Sequence, residues 1–161
     1  MKHVLLISII LTTLQGCDAI GLPADSAGGI TTTFSLFDTT GRVTTQFRPG
    51  EPFDMRFTLT NASGRDQVYH FTGVELFFEI DSGNTVFSTS IDGMIFPQVV
   101  LTRAVHNGET FHGSWRAPRS IMDWPPLRLQ PGSYQAFVRH HAFFDTLRIV
   151  QTGPIPFTIV P

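Results

Sequence analysis

The chain has 161 residues, room for one domain, with 42% hydrophobic and 15% charged residues and a formal net charge of −2. Nothing in that balance supports nucleic-acid binding, which needs a clustered basic face. With Lys2 the only lysine, the rest of the chain is basic through arginine alone, and a single cysteine excludes an intrachain disulfide. Phenylalanine dominates the aromatics, 15 against 2 Trp and 2 Tyr. Spread through alternating runs, it is core material, worth roughly 1.5–3 kcal/mol for each buried ring.

Met1-Lys2-His3 carries positive charge and precedes an apolar run, Val4–Leu14, that is too short to span a bilayer but suits a signal-peptide core. The run closes on Leu14-Gln15-Gly16-Cys17. This tetrapeptide resembles the lipobox of bacterial lipoproteins, in which cleavage before the cysteine follows lipidation of its thiol. The resemblance implies a signal peptide over residues 1–16, cleavage between Gly16 and Cys17, and acyl chains on Cys17 that hold the protein on the extracytoplasmic side of a bacterial membrane. Asp18 resembles the retention signal for the inner membrane. Residues 17–30 are small and polar, the composition of a tether reaching roughly 20 Å.

The folded unit is expected over residues 31–161. Thr31–Phe37 and Arg42–Phe47 flank a Thr39–Arg42 turn as a hairpin-like pair. Gly50–Ser63 carries the strongest signal: Phe53, Met55, Phe57 and Leu59 alternate with Asp54, Arg56, Thr58 and Thr60, the period of a half-buried strand bounded by Pro49-Gly50 and Asn61–Gly64. Gln67–Phe71 is a short strand. Val74–Ile80 alternates again, with Glu75 and Glu79 assigned to a solvated face, and Thr85–Ser88 returns from the Asp81–Asn84 turn.

Ser90–Gln98 is a loop carrying Met94, Ile95 and Phe96. Glu109–Trp115 is a strand, and Ala117–Leu129, with three prolines and Trp124, is irregular. Tyr134–His141, Thr146–Gln151 and Ile155–Val160 close the chain, with Pro154 and Pro156 placing the last strand at an edge. Short strands separated by turns define an all-β protein, an antiparallel β-sandwich.

The ordered set Gly50-Glu51, Thr60–Ser63, Phe71–Gly73, Phe78–Ile80, Phe96–Gln98, Gly108-Glu109 before Trp115, and Leu129–Tyr134 resembles the BsuPI intracellular proteinase inhibitor family. That resemblance implies an immunoglobulin-like sandwich and inhibition of serine proteases. It identifies no inhibitory residue, and the lipobox departs from "intracellular".

The chemistry expected is that of a binding protein, not an enzyme. His140 and His141 are adjacent, so on a strand they point to opposite faces. No HExxH, GxSxG, SxxK or glycine-rich phosphate loop appears, and neither a metal nor a cofactor is expected. What remains are two loop segments with large apolar groups, Met94-Ile95-Phe96 beside Pro97 and Trp124 beside Pro125-Pro126. Two uses are open to them: covering the ends of the sandwich, or binding a protein partner such as a protease or an envelope protein.

Overall fold

The computed structural model describes residues 22–24, 29–118, 128–140, 143–144 and 150–161. Its strands are β1 (Leu22–Ala24), β2 (Ile30–Phe37), β3 (Gln46–Phe47), β4 (Phe53–Asn61), β5 (Gln67–Thr72), β6 (Leu76–Ser82), β7 (Thr85–Thr89), β8 (Val100–Val105), β9 (Thr110–Ala117), β10 (Gly132–His140), β11 (Phe143–Phe144) and β12 (Val150–Ile159). No helix occurs among the described residues. One sheet has the order β1-β2-β4-β9, a second β3-β12-β10-β6-β7, and a small third β11-β5-β8. All pairings are antiparallel except β12 with β3.

β4 follows its sequence pattern. Phe53, Met55, Phe57 and Leu59 are buried, and the residues between them face outward. Their rings meet the opposing sheet: Phe53 lies 5.3 Å from Phe157 on β12, and Phe34 on β2 lies 6.2 Å from Phe78 on β6. The first two sheets therefore pack face to face as an all-β sandwich with a phenylalanine-rich core. At the start of β10 the Tyr134 hydroxyl donates to the Gln130 carbonyl at 3.0 Å and closes the preceding turn.

Several expectations meet differences here. Leu22–Ala24, placed by sequence in the tether, pair with β2. The Arg42–Phe47 limb is not a hairpin partner of β2. Only Val43 bridges Phe37, and the chain then crosses to the opposite sheet, where β3 lies parallel to β12. Burial of Phe47 drives the crossing, because its ring stacks on Phe53 at 4.3 Å and meets Phe157 edge-on.

Ile155–Val160 is part of one longer strand, β12, that begins at Val150 and runs through both prolines. The Thr158 amide donates outward to Thr45, so Pro156, two residues earlier, lacks its N–H on that same outer side, where no ladder is lost. β8 is a strand that the sequence reading leaves out.

Candidate functional site

The loop from Ser90 to Val99 joins β7 of the second sheet to β8 of the third. Its base is built from short polar side chains. The Asp92 carboxylate accepts the Thr89 amide at 3.0 Å and the Thr89 hydroxyl at 3.1 Å, while Thr89 Oγ1 accepts the Ile91 amide at 3.1 Å. Ser90 exchanges two bonds with Phe78, and the Met94 amide donates to the Ile91 carbonyl. These bonds tie Thr89–Met94 together and to β6.

Beyond the base the loop carries apolar groups outward. Ile95 is 97% exposed, Met94 is exposed, and Phe96 is half-buried. Gly73 sits under Phe96: a Cβ there would lie 3.6 Å from the Phe96 Cβ. Phe96, Val74, Phe77, Ile91 and Gln98 line a groove of about 650 Å³. Val99, Val100 and Leu101 after the loop are also exposed, as is Val68, which stands opposite Ala104 toward the far end of β8. The structure therefore brings Met94 and Ile95 together on one surface and leaves Phe96 half in the groove. Trp124, Gly16 and Cys17 lie outside the described residues.

β8 is pinned beneath this surface by a polar cluster. Arg103 Nη1 lies 3.0 Å from Glu75 Oε1, and the guanidinium stands 5.1 Å over the Phe111 ring. The Tyr69 hydroxyl donates to the same Glu75 oxygen. His140 Nε2 lies 3.6 Å away, in a fully buried ring 5.7 Å from Phe57 and 5.3 Å from Tyr69.

Glu75 and Glu79 are thus not a solvated pair, which corrects the sequence assignment. Glu75 turns toward the cluster, and Glu79 is buried against Arg139 at 2.9 Å. Glu75 lies just before β6, and within the strand Phe78, Glu79 and Ile80 are buried in succession, so burial there does not alternate.

Burial pushes the Glu75 carboxyl up, but the His140, Tyr69 and Arg103 donors more than offset this, and its pKa falls below the ordinary carboxylate value. Burial, and then the Glu75 carboxylate, raise the Tyr69 phenol. A lowered carboxylate pKa contributes stability that is complete above its unfolded value, roughly 4.3, and is lost as pH falls through the native value. Glu75→Gln is accordingly expected to be less stable than wild type at pH 7. Urea melts between pH 7 and pH 3 should show that gap shrinking only in the acid range. Both ring nitrogens of the buried His140 are without a hydrogen-bond partner, and among the described residues no group of three or more His, Cys, Asp or Glu is placed to hold a metal.

No protein-family model matches the sequence, and no curated protein sequence does. Among solved structures the chain is similar to a β-glucosidase from Listeria innocua. The complex with glucose gives a TM-score of 0.39 and 12% identity over 81% of this chain and 16% of that one. The complex with gluconolactone gives 0.35 and 11% over the same shares. A β-glucosidase involved in saponin metabolism from intestinal bacteria gives 0.32 and 17% over 74% of this chain and 17% of that one. The chain thus spans about a sixth of the length of those enzymes, and at these TM-scores the likeness carries neither fold nor activity across.

Proposed function

We propose that this chain is a lipid-anchored, extracytoplasmic β-sandwich domain that binds protein through the Ser90–Val99 loop, and that its partner is a serine protease which it inhibits. The observation that carries the reading is Ile95, an aliphatic side chain almost wholly exposed at the head of a loop whose base is fastened by Asp92, Thr89 and Ser90. Solvent exposure of such a group on a held loop is what an aromatic or aliphatic anchor looks like before its pocket closes over it. The BsuPI-like pattern, which runs through Phe96-Pro97-Gln98, supplies the choice of protease as partner.

Two features support an immunoglobulin-like type of sandwich. The order β2-β4-β9 faces β12-β10-β6-β7, and Tyr134 bonds back to Gln130 as a tyrosine corner does. A second reading, an envelope adaptor without inhibitory action, draws on the exposed β8 edge beside the loop.

Titrating the full chain against a panel of serine proteases tests the proposal. Saturating inhibition near one-to-one is expected, and full proteolytic rates throughout would leave the adaptor reading. The anchor is tested separately: Cys17→Ser is expected to lose partition into detergent and to keep its uncut mass by mass spectrometry. An uncut variant that still partitions would remove the lipid anchor from the account.

A further inference from the structure

We propose that the end of the sandwich carrying Arg42, Arg48, Arg116 and Arg128 rests on the bilayer to which Cys17 is attached, its arginines engaging anionic lipid headgroups. The inference rests on the lipid-anchor reading and adds which face of the domain meets the membrane. β1 sets the geometry. It runs antiparallel to β2, with Leu22 opposite Phe34 and Ala24 opposite Thr32, so the chain enters β1 from the Phe37 end of β2. Only Asp18–Gly21 separate Cys17 from Leu22. Five residue steps reach at most ~18 Å, and about 10 Å of that is used in passing from the level of Phe34 to that of Phe37. The domain is therefore held close to the bilayer, with the Phe37 end toward it.

The same end gathers exposed cations. Arg116 stands opposite Asp54, which stands opposite Phe37, and Phe47 and Phe157 of the second sheet pack against Phe53 beside them. Arg48 follows Phe47, and Arg128 precedes the turn into Gly132, which stands opposite Ile159. Arg48, Arg116 and Arg128 are exposed and have no ion-pair partner among the described residues. The Arg42 side chain is 80% exposed although it pairs with Asp38. The carboxylates of this end are occupied or turned inward. Asp38 spends its oxygens on Thr40 and Arg42, Glu51 accepts the Arg48 amide, Asp54 pairs with Arg56, and Asp81 has a buried oxygen. A cleft of about 780 Å³ lined by both Arg42 and Arg48 opens here, large enough to seat a headgroup phosphate.

Charge and reach together select the partner. The far end, built from the β4–β5 and β8–β9 turns, exposes Asp66 and Glu109 beside Arg65 and His106. An anionic surface attracts the arginine end more strongly than that one, and so turns the domain the way the short tether already holds it. An acidic protein would meet the same arginines, but the roughly 8 Å of reach that remains leaves it no room above the bilayer. β7 runs away from this end, from Thr85 opposite Ser82 to Thr89 opposite Glu79. The Ser90–Val99 loop that follows is thereby lifted off the membrane, where a protein partner can reach Ile95.

The test places a fluorescent label on Thr39→Cys, in the arginine end, or on Ala62→Cys, in the opposite end; both positions are exposed. With Cys17 acylated, the introduced thiol is the only free one. Each lipidated full chain is reconstituted into vesicles of phosphatidylcholine, with or without phosphatidylglycerol, that carry a headgroup-linked quencher. Melting temperatures verify that the variants fold. Quenching on Thr39→Cys is expected to exceed that on Ala62→Cys about fivefold, and to grow about twofold or more when phosphatidylglycerol is present. Adding Arg48→Gln and Arg128→Gln should abolish that growth, as should about 1 M salt. Equal quenching at the two positions, stronger quenching on Ala62→Cys, or indifference to phosphatidylglycerol and to the arginines overturns the inference and leaves the anchor standing. A chain that does not stay with the vesicles removes the anchor itself, and this inference with it.

Discussion

Phe57→Ala is expected to lower the unfolding free energy by about 4 kcal/mol, near the upper end for a buried aromatic truncated to alanine. Phe57 is 1% exposed at the middle of β4, between Phe34 on β2 and Gly113 on β9. Its ring meets His140 at 5.7 Å and Phe111 at 6.5 Å. Cost at such a site depends on how far the surroundings collapse into the space left behind. Gly113 has no side chain to offer, and Leu76 already presses on that glycine so closely that an added Cβ would lie 1.9 Å from Leu76 Cδ2.

The cavity should therefore persist. Urea unfolding is expected to show a lower midpoint with an unchanged slope, and Phe57→Leu should recover more than half of the loss. A cost under about 1 kcal/mol for Phe57→Ala would contradict this packing.

Asn61→Ala is expected to cost about 3 kcal/mol, through stranded polar groups instead of lost volume. Asn61 ends β4 fully buried. Its Nδ2 donates to the carbonyls of Arg65 and Val105, both at 2.8 Å, and its Oδ1 accepts the Ser63 amide at 3.0 Å and the Ser63 hydroxyl at 2.6 Å. Its backbone is held as well, taking the Gly108 amide and giving to Glu109. One side chain thus ties the β4–β5 turn to the β8–β9 hairpin.

Alanine leaves the Val105 carbonyl buried without that donor. Asn61→Asp keeps the acceptor, loses both donors and buries a charge, so it should be no better tolerated. Hydrogen exchange should accelerate first at Ser63 and along β8. Uniform acceleration across both large sheets would instead mean that Asn61 acts on the whole core.

What could be read from the sequence follows from where burial falls. β4 announces itself because one face is buried and the other wet, so its chemistry alternates with its geometry. β8 does not, because both faces are exposed through Ala104 and Val-Val-Leu-Thr-Arg-Ala has no period to find. Glu75 and Glu79 mislead because their partners Tyr69, Arg103, His140 and Arg139 come from three other strands.

The Arg42–Phe47 limb reads as a hairpin because turn residues precede it, but pairing is decided by the burial of Phe47 against the far sheet. Met94-Ile95-Phe96 is legible as apolar residues in a loop. The exposure of Val99–Leu101 is not legible, because nothing in the sequence marks the strand they begin.

The account stands most directly on Ile95. The decisive measurement is the protease titration run with wild type and with Ile95→Asp, alongside a thermal melt of each. Because Ile95 contacts solvent and not the core, the two melting temperatures should agree within the range of a surface substitution, about 0.5 kcal/mol. The wild type is predicted to inhibit near one-to-one, and the variant about 100-fold more weakly, the loss expected of a desolvated anchor. Equal inhibition by both proteins, or none by the wild type, would contradict the loop as an inhibitory surface.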